Sequence, residues 1–395
     1  MNTQTVRTDF QVVIVGASIA GCTTALKLAQ RGIRVAIVEK VAQEDHYKKM
    51  CSHLIHPSGT RKLARLGVLD TLLAQGGQAT YLEVISEGRG VCYPFNQSAE
   101  ASNIQRRLLD PALKSLVANR ANITTFYGYR AVSLIRTSKN GGSQRVRGVI
   151  AQNTLGSQLI FRCALVVAAD GRKSRLARLD KLVEHRVPNH RVAMFTYFQT
   201  AAPVNSSRVW ALDQGSTYYA CFANGERVLV SCYVPEKFFA SLPFSAETYF
   251  TATVKAFVEG QGIVLGEQLD EVYVAKDSDT LFRFPRSKGL TFVGDSFVAA
   301  DPLIGIGCTW ALDSANLLCA CIGRAIPRPT EDSQRPIGPW SERKLNLAVS
   351  LYHGLHHLKY LVPAYAMAWL SRKGAWVFNP VVFGTLARIT GSKSR

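Results

Sequence analysis

The run Val12-Val13-Ile14-Val15 opens directly into Gly16-Ala17-Ser18-Ile19-Ala20-Gly21, and this junction restricts the fold more than any other stretch. A short β-branched run of this kind reads as a buried parallel strand. Gly16 lets the chain turn sharply out of it. Ser18 stands where the second glycine of G-x-G-x-x-G lies, and is still small. Gly21 lets the next helix, Ile19 to Gln30, pack close to the sheet. Gly32 ends that helix, Arg34 to Val38 forms a second strand, and Glu39 closes it. The helix N-terminus can hold a pyrophosphate. The Glu39 carboxylate can accept hydrogen bonds from an adenosine ribose and would repel a 2′-phosphate.

Two further motifs follow in order. Leu165 to Ala169 is an apolar strand ending in Asp170-Gly171. Leu290-Thr291-Phe292-Val293 ends in Gly294-Asp295, followed by Asp301-Pro302-Leu303-Ile304-Gly305-Ile306-Gly307. Together the three motifs point to a flavin dinucleotide.

At 395 residues the chain can bury a large core and form more than one unit. Its net charge of +19 favours anionic partners or a merely basic surface. No zinc-finger spacing, aromatic RNA-binding signature or basic tail of the usual kind accompanies it, so nucleic acid is not expected. Nine cysteines without a C-x-x-C pair read as reduced thiols of a cytoplasmic protein. No metal site is expected: His353, His356 and His357 have helical spacing but read as a partly buried polar face. No secretory signal and no apolar run of spanning length is seen.

Along the chain, a β-α-β start leads through the polar loop 47–53 into a helix over about 58–74. Residues 78–105 alternate as strands, a helix covers about 108–119, and Gly141-Gly142 marks a hairpin tip. Runs rich in Val, Tyr and Phe over 190–235 predict an antiparallel sheet, and 246–260 reads as helix. Residues 327–339 read as a linker before a helical tail over about 340–390. That tail has one acid, Glu342, against Arg343, Lys344, Lys359, Arg372 and Lys373, among others. With Leu355, Leu358, Tyr360, Trp369, Trp376 and Phe378 it could lie on an anionic membrane surface, or simply cap the core.

These motifs resemble the class A flavoprotein monooxygenases: the aromatic hydroxylases with their relatives the squalene epoxidases, geranylgeranyl reductases and flavin-dependent halogenases. The resemblance covers about residues 10–325. It adds Arg106-Arg107-Leu108-Leu109-Asp110 with Leu113, whose Arg106 corresponds to an arginine near the flavin pyrophosphate and ribityl chain. Asp170-Gly171 with Ser174 and Arg175 matches D-G-x-x-S-R, Asp295 the ribityl-holding acid, and Pro302, Gly305 and Gly307 the P-x-x-G-x-G loop beside the isoalloxazine.

The resemblance implies an α/β fold: a Rossmann-like FAD-binding domain of the GR2-type, aromatic-hydroxylase kind, with an inserted antiparallel-sheet substrate domain and a C-terminal helical segment. The FAD-binding part would comprise 1–77, 104–184 and 276–325. The substrate part would comprise 78–103 and 185–275, and the linker and tail 326–395. The expected cofactor residues are Gly16, Ser18, Ile19, Ala20, Gly21, Glu39, Lys40, Cys51, Arg106, Val132, Asp170, Gly171, Asp295, Pro302, Gly305, Ile306 and Gly307. Pro302, Gly305 and Cys51 are the catalytic candidates. Cys51, near Lys49, Ser52 and His53 in the family layout, is either a redox or proton-donating thiol or a packing residue. Phe195, Tyr197, Phe198, Trp210, Tyr218, Tyr219 and Phe222 would wall an apolar substrate pocket.

The implied chemistry uses NAD(P)H, tightly bound FAD and O2, through a flavin C4a-hydroperoxide that hydroxylates or epoxidises an aromatic, polycyclic or isoprenoid molecule of specialised metabolism. A separate flavin reductase could also supply the electrons. The alternative is a prenyl double-bond reductase, for which Lys49-Met50-Cys51-Ser52 partly matches K-x-C-G while the Y-x-W-x-F-P motif is degraded. A halogenase is disfavoured because W-x-W-x-I-P is missing.

Overall fold

In the computed structural model the described residues are 6–86, 89–92, 101–137, 145–200, 204–212, 216–326, 339–364 and 366. Four apolar strands meet as the motifs demand. Leu290–Phe292, Leu165–Ala168, Val12–Val15, Val35–Glu39 and Ile123–Tyr127 pair in that order, all parallel, in a five-stranded sheet. Each of the first four is buried along its length apart from Glu39, as central strands covered on both faces must be. The helix Ile19–Ala29 packs against Gly307–Ile322 and Arg106–Ala118, placing three helix N-termini near the C-terminal ends of the strands. A four-stranded sheet, Val6–Asp9, Gln158–Arg162, Arg145–Gln152 and Arg130–Thr137, backs this layer.

The second layer is an eight-stranded sheet. Seven strands run in the order Leu265–Gln268, Arg191–Thr200, Arg227–Pro235, Thr217–Asn224, Ser207–Leu212, Leu82–Ser86, Arg89–Cys92, and Tyr273–Ala275 also pairs with Arg191–Thr200. It is not wholly antiparallel, because Ser207–Leu212 runs parallel to Leu82–Ser86. Its strands Arg191–Thr200, Thr217–Asn224 and Arg227–Pro235 are buried on both faces. One face, with Phe195, Tyr197, Tyr218, Phe222 and Tyr233, packs with Leu54 and Leu303 of the parallel-sheet layer. The other, with Met194, Phe198, Trp210 and Tyr219, packs on the helical segment from Ala246 to Gly260.

The helix expected over 58–74 is two helices, Pro57–Arg65 and Leu69–Ala74. The break falls at Gly67, whose φ of 74° no helix accommodates. In the C-terminal region, Pro339–His356 is helical and docks on the parallel-sheet layer. The Tyr352 hydroxyl donates to the Phe292 carbonyl (2.8 Å), and Leu345, Tyr352 and Tyr360 are fully buried. Its opposite side exposes Leu347, Leu351, Leu355, Leu358 and Val362. His356 stacks on Phe297, and His353 shares a 2.9 Å hydrogen bond with Thr291. The trio therefore joins helix to core, and among the described residues no group of metal-ligating side chains is assembled. No helix among them is long and apolar enough to cross a membrane. The expected hairpin tip at Gly141-Gly142, the linker 327–338 and the tail from 367 lie outside the described residues.

Candidate functional site

The site begins at the first strand–helix turn. Gly16 has a φ of 111°, and a Cβ there would lie 2.4 Å from the Ala169 carbonyl oxygen, so only glycine fits. A Cβ on Gly21 would meet the Gly16 oxygen at 1.9 Å. Glu39 is fixed by two backbone donors, Ala17 N–H at 2.7 Å and Val41 N–H at 3.0 Å. Each carboxylate oxygen keeps further acceptor capacity. Lys40 is exposed beside it.

Ser18 does not cap its own helix. Its Oγ instead accepts from Arg106 Nη2 at 2.6 Å. Arg106 is 4% exposed and makes a two-point contact with Asp110, Nε–Oδ1 2.8 Å and Nη2–Oδ2 2.7 Å. Burial works against its charge, but the Asp110 carboxylate and the Cys308 and Cys51 sulfurs outweigh it and hold its pKa above the ordinary arginine value. A permanent cation thus stands beside amides that have no intrahelical partners.

Asp110 also accepts from Lys48 N–H (3.2 Å), while the Lys48 ammonium lies 3.6 Å from Asp295. Asp295 is half-buried over Gly307, at the start of its helix. Gly294 N–H donates to Ser314 Oγ (2.9 Å), and buried Arg283 donates to the Asp295 and Ser296 carbonyls (3.1 and 2.9 Å). This arginine fixes the Gly294-Asp295 turn, and no local pattern marked it.

Asp301 caps the short turn Pro302–Ile304 through Leu303 N–H (3.0 Å) and forms a buried ion pair with Arg191 of the second sheet. Gly305 takes a left-handed φ of 62° against Ser52 and Leu54, where a Cβ would have 3.2 Å of room to either. Pro302 is half-buried and Ile306 buried. Here Cys51 and Cys308 sulfurs lie 3.5 Å apart. His53, with a left-handed φ of 63°, accepts from Arg106 N–H at Nδ1 (3.1 Å) and contacts the Tyr197 hydroxyl through Nε2. With Nδ1 accepting, the neutral ring carries its proton on Nε2 and donates to Tyr197. Burial raises the Tyr197 pKa, so its phenol stays protonated and keeps a hydrogen for another acceptor.

Some expected positions are engaged otherwise. Asp170 accepts within its own loop from Ser174 Oγ at Oδ1 (2.6 Å) and from Arg175 and Leu176 N–H at Oδ2 (2.7 and 3.0 Å). Arg175 Nε holds the Ala131 carbonyl (2.7 Å) next to half-buried Val132. Of the expected wall residues, Phe195, Tyr197, Tyr218 and Phe222 cluster with Tyr233, Leu54 and Leu303 on one face of the second sheet, whereas Phe198, Trp210 and Tyr219 lie in the cluster on its other face. Trp210 instead packs edge-on against Phe257.

A family model described as FAD binding domain matches residues 9–319. The chain belongs to this family. It is 24% identical over 337 residues to squalene epoxidase 1 of Arabidopsis thaliana, covering 81% of this chain and 60% of that protein. It is 24% identical to the FAD-dependent monooxygenase penM of Penicillium crustosum, covering 95% and 81%. Among solved structures, the flavin-dependent brominase Bmp2 superposes with a TM-score of 0.77 at 14% identity, covering 98% of this chain and 94% of that one, a likeness of fold. The chain spans 32–60% of the length of the squalene epoxidases of Arabidopsis thaliana and Panax ginseng that it matches.

The residues present fit FAD. Glu39 and Asp295 offer acceptors suited to ribose and ribityl hydroxyls, Arg106 at a helix N-terminus offers donors suited to a pyrophosphate, and the left-handed Gly305 turn at another helix N-terminus suits close approach of an isoalloxazine.

Proposed function

We propose that the protein is an FAD-dependent monooxygenase that uses NAD(P)H and O2 to hydroxylate or epoxidise an apolar aromatic, polycyclic or isoprenoid molecule of specialised metabolism. When bound, FAD supplies the redox chemistry, taking electrons from the nicotinamide and activating O2. The protein's own residues bind, orient and exclude water.

One observation carries the substrate class. The inner face of the second sheet presents Phe195, Tyr197, Tyr218, Phe222 and Tyr233 in one cluster with Leu54 and Leu303, which flank the candidate isoalloxazine loops. The Tyr197 hydroxyl, oriented by His53, can donate to a substrate oxygen. The Arg191–Asp301 pair holds the Pro302 turn against the sheet, with Arg191 over the Tyr218 ring at 5.8 Å. A mostly apolar wall with a few placed polar groups suits an apolar ligand with one oxygenated end.

The reading is tested by oxygen uptake with flavin-loaded protein, NADH or NADPH, and a panel of polycyclic and isoprenoid compounds. Substrate-stimulated O2 consumption with one 18O atom from 18O2 in the product is expected. Anaerobic double-bond reduction with no oxygen incorporated would sink it and favour a reductase.

A further inference from the structure

The contact between Cys51, a candidate of the flavin reading, and Cys308 is not used by that reading. Cys51 and Cys308 are 257 positions apart, yet their sulfurs are in contact at 3.5 Å. Cys51 is partly exposed and Cys308 is buried. Cys51 Sγ also accepts from His53 N–H at 3.3 Å, and Cys308 lies in the first turn of Gly307–Ile322. The hydrogen bond with Cys308 lowers the Cys51 pKa most, burial opposes it, and the His53 side chain and the charge of Arg106 add to the lowering. Cys308 is raised by the same contact and by burial. Cys22, Cys163, Cys221, Cys232, Cys319 and Cys321 are all raised by burial. An accessible, activated sulfur touching a protected thiol is the arrangement of an attacking and a resolving cysteine.

We propose that Cys51 and Cys308 are a redox-active dithiol that hydrogen peroxide converts to a disulfide, with Cys51 attacking and Cys308 resolving. The Cys51 thiolate attacks one peroxide oxygen: an S–O bond forms, the O–O bond breaks, and the departing hydroxide takes a solvent proton to leave as water. The Cys308 sulfur then attacks the Cys51 sulfur: the S–S bond forms, the S–O bond breaks, and a second water leaves with the Cys308 proton. Two thiols are oxidised and one peroxide is reduced to two waters. The sulfurs already touch, so bond formation needs only a small side-chain shift. The product ties the loop of residues 48–53 to the N-terminus of Gly307–Ile322, across the region assigned to the isoalloxazine. Uncoupled reduced flavin and O2 would release peroxide at this place. That source rests on the proposed function, whereas the sulfur chemistry does not.

The test uses the full-length protein, reduced, desalted, exposed to one equivalent of hydrogen peroxide, alkylated, and mapped by mass spectrometry without reductant. A cross-linked peptide pair joining Cys51 to Cys308, short of two hydrogens, is expected, and dithiothreitol should reverse it. Cys51→Ser should leave Cys308 fully alkylated, and Cys308→Ser should stop with oxygen added to Cys51. Full alkylation of both wild-type cysteines after peroxide would overturn the proposal, as would oxygen accumulating on wild-type Cys51 without a cross-link. The wild-type map decides alone if a variant fails to fold. Flavin absorbance of the same samples reads FAD binding separately, so failure of one reading is not mistaken for failure of the other.

Discussion

Arg106→Met separates the two tasks that Arg106 performs. The guanidinium makes three short hydrogen bonds, two to Asp110 and one to Ser18, at 4% exposure. Removing it strands a carboxylate that is 3% exposed, with Lys48 N–H as its remaining donor in this cluster. Breaking a buried pair in this way costs about 3–5 kcal/mol of folding stability. The companion variant Arg106→Met/Asp110→Leu removes both charges, and since an apolar replacement of a buried pair is often neutral, most of that loss should return. FAD binding should not return. A charge-assisted hydrogen bond to the pyrophosphate contributes about 1.5–3 kcal/mol, so the double variant should bind FAD roughly 10- to 150-fold more weakly. Denaturant unfolding reads the first quantity and flavin fluorescence titration the second. A double variant with restored stability and wild-type FAD affinity would refute the placement of Arg106 at the pyrophosphate.

Asp295→Ala should empty the flavin site with little loss of stability, because its 3.6 Å ion pair with Lys48 is only partly buried; a fully yellow variant would contradict the ribityl assignment. Phe222→Leu should change the kcat/KM ratio between an aromatic and an aliphatic substrate by roughly tenfold, while Trp210→Phe leaves the ratio unchanged; the reverse pattern would mean that the wrong face of the sheet meets the substrate. Burial lowers the His353 pKa to about 4, so between pH 4 and 6.5 the unfolded chain binds the proton and the folded chain does not. Stability is therefore full above pH 6.5 and lost on acidification, by about 2 kcal/mol at pH 5 from this residue alone; denaturant midpoints of wild type and His353→Gln at pH 7.5 and 5.0 check it, and equal pH sensitivity in both would refute it.

The parts of the fold legible in the sequence are those whose determinants are local. An apolar run, the glycines at 16 and 21 and the acid at 39 specify strand, turn, helix and strand within thirty residues, and these elements form as read. Gly294-Asp295 and the Pro302 turn are equally local. Contacts that join distant segments were not legible: Arg191 with Asp301, His53 with Tyr197, Cys51 with Cys308, and Arg283 beneath Asp295. That Phe198, Trp210 and Tyr219 lie on the opposite face from Tyr197 and Phe222 has a physical cause. Their strands are buried on both faces, so period-two alternation cannot say which aromatic faces the active layer. The parallel pairing of Ser207–Leu212 with Leu82–Ser86 likewise depends on how two remote strands meet. Asp170, a ligand residue by its motif, also holds the first turn of the next short helix, a local role the motif did not show.

The most direct test of oxygen activation is a rapid-mixing absorbance trace of the anaerobically reduced, flavin-loaded protein after addition of O2, with and without a stimulating substrate. A transient spectrum distinct from both reduced and oxidised flavin, decaying faster when substrate is present, is expected. Direct return to oxidised flavin under both conditions would contradict a monooxygenase.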